Sequence, residues 1–268
     1  MDFLYQIKIS FQSYWRAFRF IDSNNLWRFL IVPAIVNLIL SFLIIIFAIK
    51  TSRIVVEYVL LNFQITTSDR AIHSFIEGLL MVIIRACVFF LYLKVYRYMA
   101  LVALAPMFAI LSSKVQTIDS GQKKSSCTRK YLLDCSRGIR IALRNFLIEI
   151  VLSTLIITIS LLIAWVIPIA PIIILLLESY FVGYSMADYR NEYFGIKSRD
   201  SRKLINKYFG LTIGNGMLFN FLLLIPLLGA LFAPTFALVS SGLSINYLEK
   251  RKSVLWNSDQ STLMMAKS

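Results

Sequence analysis

Between residues 3 and 21 the apolar side chains fall at Leu4, Ile7, Phe11, Tyr14, Phe18 and Ile21. Spacings of three and four draw one stripe on a helix, with Lys8, Gln12, Arg16 and Arg19 mostly off it. The segment is too polar to cross a bilayer. It either lies in the membrane surface or packs as a seam on the protein's own body. From Trp27 to Ile49 the pattern changes to a nearly unbroken apolar run, interrupted by Arg28, Pro33, Asn37 and Ser41. About 20 residues at 1.5 Å each cross the hydrocarbon core, so this run predicts a first span. Pro33 falls in its second turn, where a missing N–H does little harm. Residues 51–70 are mixed, and a second long helix is predicted from Ala71 to Leu93, continuing through Lys94 and Arg97 towards Ala105-Pro106.

A second amphipathic surface helix follows in the basic stretch, with Leu132, Cys135, Ile139, Ala142, Leu143 and Phe146 on one face. Residues 145–189 and 208–249 then contain no Lys or Arg. Each block holds a proline-marked break near its middle, Ile167-Pro168-Ile169-Ala170-Pro171 and Ile225-Pro226-Leu227-Leu228-Gly229. Each therefore reads as a helical hairpin. Their tips lack the Asn, Asp or Ser that solvates an open turn. Irregular backbone survives at membrane depth only where protein or a water-filled cavity shields it. At least one hairpin is therefore expected to penetrate only part-way; two tight turns at the far interface are the alternative.

The predicted fold is all-α and polytopic, with two long spans, two proline-broken hairpins and two amphipathic surface helices. It forms one membrane domain over 1–250. Within it lie a surface helix at 1–24, spans at 27–49 and 71–97, a surface helix and hairpin at 131–187, and a surface segment and hairpin at 198–249. A polar tail occupies 251–268.

Composition agrees with immersion in lipid. The 268 residues are 58% hydrophobic and 16% charged, and mean hydropathy is +0.73. The 28 Lys and Arg against 14 Asp and Glu would suggest nucleic acid in a soluble protein. Here they concentrate in residues 1–28, 94–144, 190–207 and the tail, one side of the predicted topology. The positive-inside rule makes that side cytoplasmic and explains the excess without nucleic acid. Both termini are then inside. The start shows no signal-peptide pattern. Three cysteines without a CxxC, and one histidine, argue against a disulfide framework or a zinc site.

No GxSxG, HExxH or P-loop is present, so neither an enzyme nor a cofactor is expected. Charges inside spans are the better lead, since each is costly unless it faces a cavity or a partner. Arg85 lies well inside the second span, either as an anion-pathway residue or paired with Glu77, Glu149 or Glu178. Nine residues separate it from Lys94, which puts the two on opposite helix faces. Glu149 and Glu178 read as interfacial carboxylates or partners for arginines, with no pairing of carboxylates inside an apolar segment. The start of the first span, Asp22 to Arg28, is a second lead. Helix-terminal N–H groups suit an oxyanion, and Arg28 could close on the same ion. Helix capping with headgroup contact is the competing explanation.

At these residues the chain resembles a known family. Trp27-Arg28-Phe29-Leu30-Ile31-Val32-Pro33-Ala34-Ile35-Val36-Asn37 is similar to the first-span signature of the CysZ-type sulfate permeases, the etoposide-induced-protein superfamily. The Ala105-Pro106 break, Asp188-Tyr189 and Ile225-Pro226-Leu227-Leu228 through Pro234 match in order and approximate spacing. The resemblance covers nearly the whole chain. It implies two long spans with part-penetrating hairpins, and uptake of sulfate bound at the start of the first span. The family's Gly-apolar-Arg motif, often with a second Arg, corresponds to Asn25, Leu26, Trp27 and Arg28. Glycine is absent there, and Met107 to Ser113 replace the Asn-Gly and Glu that follow the family's Ala-Pro break.

The combined expectation is an oligomeric anion permease of a bacterial inner membrane, with sulfate one candidate solute. Asn25, Leu26, Trp27 and Arg28 form the anion site. Arg85 and the breaks at Pro106, Pro168 and Pro226 are pathway candidates. A scaffold that binds anionic lipids or acidic partners through its basic loops, and transports nothing, is the alternative.

Overall fold

A computed structural model describes residues 2–63, 70–121, 128–225 and 228–265. The described residues form helices joined by short turns. Helix α1 (Phe3–Ser23) leads into α2 (Arg28–Phe63) and α3 (Arg70–Ala103), which run antiparallel. The hydroxyls of Thr51 and Tyr92, 2.7 Å apart, tie the two together. After α4 (Ala105–Ser120) comes the first hairpin, α5 (Thr128–Leu162) and α6 (Ala170–Tyr193), turned through a 3₁₀ segment at Ala164–Val166. The short α7 (Ser198–Lys207) precedes the second hairpin, α8 (Phe209–Leu223) and α9 (Leu228–Met265). Among the described residues, five helices contain stretches long and apolar enough to cross a membrane: Arg28–Val59, Gly78–Ala103, Cys135–Leu162, Ala170–Tyr193 and Leu231–Arg251. The protein is a multi-pass, all-α membrane protein. Helix α8 has 15 residues, about 22 Å of rise, and cannot by itself cross roughly 30 Å of hydrocarbon.

Helix α6 is the hub, packed by α4, α5, α7, α8 and α9. Every residue from Phe181 to Tyr193 is buried, as expected of a helix enclosed on all sides. The α6–α8 crossing is very close, because its small residues interlock. A Cβ on Gly183 would stand 2.0 Å from the Thr212 carbonyl oxygen, and one on Gly216 would stand 1.8 Å from that of Ser179. Small residues let helix backbones approach closely where lipid supplies no hydrophobic drive. Helices α2 and α3 lie at the margin, with Ile31, Ile35, Phe42, Val82 and Leu91 exposed, an apolar surface suited to acyl chains.

The amphipathic stripe of α1 resolves into two faces. Leu4, Phe11 and Phe18 are exposed, Ile7 and Tyr14 are half-buried and Ile21 is buried, so half of the apolar stripe points away from the body. The packed seam is instead mostly small or polar, Gln6, Ser10, Ser13 and Ala17, with the apolar Ile9 and Ile21 beside them. Ser10 donates to the Leu211 carbonyl at 3.0 Å, and Tyr14 to that of Asn215 at 2.8 Å. Burial pushes the Tyr14 phenol well above its ordinary pKa, so it stays a donor.

Several boundaries differ from expectation. Helix α2 continues 14 residues past Ile49, because no Gly or Pro after Pro33 stops it. The surface helix predicted in the basic stretch is not separate. It is the first part of the 35-residue α5, and its Cys135 and Ala142 are buried in the body. The segment after residue 250 continues α9 as far as Met265.

Candidate functional site

The turn between α1 and α2 is built by a left-handed residue. Asn25 has φ of 52°. The Leu26 N–H donates to the Ile21 carbonyl at 3.0 Å and the Asn25 N–H to that of Asp22 at 3.2 Å. This pair of bonds is the Schellman closure, which places its left-handed residue directly after the helix. Its usual apolar contact is present, since Ile21 and Leu26 share one core cluster. The chain then starts α2 at Arg28. Trp27 is half-buried and its indole N–H donates to Asp22 Oδ1 at 3.1 Å. Asp22 is thus held by Trp27. The Arg28 side chain is exposed and makes no hydrogen bond or ion pair among the described residues.

Left-handed geometry predicts how Asn25 responds to substitution. Asn25→Gly should leave thermal stability in detergent unchanged or slightly raised, because glycine adopts positive φ freely. Asn25→Val should cost about 1–2 kcal/mol, since a branched side chain clashes there. Equal melting temperatures for the two variants would count against the turn geometry.

A second constellation lies among the hairpins. Lys94, Arg97 and Tyr98 occupy one face of α3 at i, i+3 and i+4. The Arg97 guanidinium pairs with Glu178 Oε2 at 2.9 Å and donates to Asn220 Oδ1 at 2.9 Å. Lys94 Nζ stands 3.2 Å from Glu178 Oε1 and 3.6 Å from Glu149 Oε1. It also donates to Ser153 Oγ at 2.7 Å. Tyr98 donates to Glu149, a carboxylate 1% exposed. Asn220 in turn donates to Ser179 Oγ at 3.1 Å. Four helices therefore meet around two cations and two carboxylates. Mutual pairing balances charges that would each cost several kcal/mol in hydrocarbon.

Nearer the termini a third network ties α5 to α6. Arg137 grips Asp188 with Nε at 2.9 Å and a terminal nitrogen at 2.8 Å, and donates to the Ile196 carbonyl at 2.7 Å. Ser201 donates to the same aspartate, and Arg190 pairs with Glu249. This network holds loop to helix. Asn37 differs: it is fully buried in α2, and both its amide atoms lack a partner among the described residues. Buried amides are nearly always hydrogen-bonded, and Asn37 departs from that rule.

The described pathway candidates, Arg85, Pro106 and Pro168, lie on separate elements: α3, α4 and the tip of the first hairpin. Arg85 is exposed and pairs with neither Glu149 nor Glu178; Lys94 and Arg97 take those carboxylates. The Glu77 side chain, the third partner expected for Arg85, lies outside the described residues. Pro106 is exposed in the first turn of α4, Pro168 is exposed at the first hairpin's tip, and Pro226 lies outside the described residues.

The family model for the sulfate transporter CysZ/etoposide-induced protein 2.4 matches residues 13–234. The chain belongs to that family. The match spans the α1–α2 turn, the buried ion cluster and both hairpin tips. No curated protein matches the chain. Asn25 holds a positive φ, a conformation that glycine adopts most freely and asparagine sometimes takes at helix ends. The sequence offered Glu178 as a partner for an arginine, a place that Arg97 takes; the cluster as a whole was not legible, because Lys94 and Arg97 count equally well as a cytoplasmic flank. The i, i+3, i+4 spacing of Lys94, Arg97 and Tyr98 was the available signal.

Proposed function

We propose that this protein is an anion permease whose solute first meets the Arg28 side chain and the backbone N–H groups of Trp27 and Arg28, since those of Asn25, Leu26, Phe29 and Leu30 are spent on carbonyls of the turn. The supporting observation is the Arg28 guanidinium, without a partner among the described residues, at the first residue of α2 directly after the left-handed turn at Asn25. An oxyanion there gains a charge-assisted fork and the positive end of a helix. Such transport needs no bond-making, hence no catalytic residue or cofactor. The protein would sit as a homo-oligomer in a bacterial inner membrane with both termini in the cytoplasm, the side that the basic segments favour. Sulfate is the solute that family membership favours. The buried Lys94–Arg97–Glu149–Glu178 cluster would offer positive charge within the apolar region, provided its carboxylates yield.

Reconstitution into proteoliposomes tests this. Wild type should take up radiolabelled sulfate, or another of a panel of oxyanions, above empty vesicles. Arg28→Ala should abolish that uptake with expression intact. Unchanged flux in Arg28→Ala would remove Arg28 from the site. The exposed Leu4, Phe11, Trp15 and Phe18 on α1 favour a second reading, a lipid-binding scaffold, to which wild-type vesicles inert to every oxyanion would point.

A further inference from the structure

Arg53 and Arg85, both exposed, line one crevice between α2 and α3. The crevice has a volume of about 340 Å³ and is also lined by Ala48, Ile49, Ser52 and Phe89. Of the other cations of the spanning helices, Lys94, Arg97, Arg137 and Arg190 each meet a carboxylate, whereas Lys50, Arg140 and Arg144 meet none among the described residues. Arg53 and Arg85 make no ion pair or hydrogen bond among the described residues. Glu57, one turn beyond Arg53, makes none with it either. Two guanidiniums gathered at one crevice repel each other, and an anion between them relieves that repulsion.

Position along the helices gives the same answer. Arg53 lies 25 residues after Arg28 on one continuous helix, about 37 Å along its axis. Arg85 lies 18 residues before Ala103, about 27 Å. Since α2 and α3 are antiparallel, both arginines stand near the membrane margin opposite Arg28, about one hydrocarbon thickness away. Headgroup phosphates and aqueous anions both reach that level. The Ser52 hydroxyl is occupied by its own helix, donating to the Ile49 carbonyl at 2.9 Å, which leaves the guanidinium forks as the crevice's donors. Planar forks suit tetrahedral oxyanions, and the walls of Ala48, Ile49 and Phe89 lower the local dielectric and strengthen such a contact.

We propose that the Arg53–Arg85 crevice is a second binding site for a tetrahedral oxyanion, carried either by a free inorganic ion or by an anionic phospholipid headgroup. The site is separate from Arg28. It also lies on the opposite face of α3 from the Lys94 cluster, so it does not depend on the permease reading.

The test uses the full chain purified in uncharged detergent. One arm measures equilibrium binding of radiolabelled sulfate and of inorganic phosphate in an Arg28→Ala background, which silences the first site. The other counts phosphatidylglycerol against diacylglycerol adducts by native mass spectrometry. Arg53→Ala and Arg85→Ala should each weaken binding about tenfold in one arm. Loss in the first arm assigns the site to a free ion, and loss in the second to a lipid phosphate. The Lys variants, which keep the charge and remove the fork, should weaken the same arm by a smaller factor. If the Ala variants do not fold, the Lys variants decide. Affinities equal to wild type in both arms overturn the proposal.

Discussion

Glu178→Ala should destabilise the protein in detergent by about 3–5 kcal/mol, the usual consequence of removing one member of a buried ion pair. Glu178 holds two cations at once, Arg97 at 2.9 Å and Lys94 at 3.2 Å. Without it Arg97 keeps only the neutral Asn220, and Lys94 is left 3.6 Å from Glu149. Glu149 also accepts from Tyr98. One carboxylate would then remain for two cations, paired with Lys94 alone. Removing charge in pairs should be milder. Arg97→Met with Glu178→Leu should recover most of the loss, because apolar residues of similar volume often replace buried ion pairs at little cost. Denaturant titration followed by helicity measures both variants. A single variant as stable as wild type would mean that water already screens the cluster. The double variant also separates structure from transport, since a folded protein lacking these charges reports directly on whether flux needs them.

Gly216→Val should be nearly as damaging, by a steric route. A Cβ at position 216 would stand 1.8 Å from the Ser179 carbonyl oxygen and 2.5 Å from its carbon. That obstacle is helix backbone and cannot rotate aside, so α6 and α8 must separate. Overpacking costs typically 1–3 kcal/mol where side chains can adjust, and about 3 kcal/mol or more is expected here. Separation would also loosen the Asn220–Ser179 bond at 3.1 Å, and with it the Asn220 contact to Arg97. A Cβ on Gly78 would meet nothing within 4 Å, so Gly78→Val should be almost silent in the same assay. Comparable losses at both positions would refute the close crossing.

Short-range patterning carried much of this molecule. The apolar runs after Trp27 and Ala71, the two proline-marked hairpins and the amphipathic α1 were all legible, because helix periodicity and freedom from charge are local properties. So was the opposition of Arg85 and Lys94, which follows from helical geometry alone. The sequence also located the α1–α2 turn, and its Asp-Ser-Asn-Asn run could be read as capping material. What it could not say was that Asn25 takes a positive φ, since that depends on the Schellman bonds closing back to Ile21 and Asp22.

Tertiary structure decided which face of each helix met which partner. The stripe on α1 was visible, but that its small polar side would become the packed seam depended on Gly210 and Gly214 of α8 admitting it. Lys94 and Arg97 looked like the start of a cytoplasmic segment. Only the meeting of α3 with α5, α6 and α8 turned them into a buried cluster with Glu149 and Glu178, carboxylates carried by helices distant along the chain. The physical reason is range. Hydropathy and helical period act over a few residues and set which segments enter the membrane, whereas the pairing of charges inside it is set by helix-to-helix contacts that no local window contains.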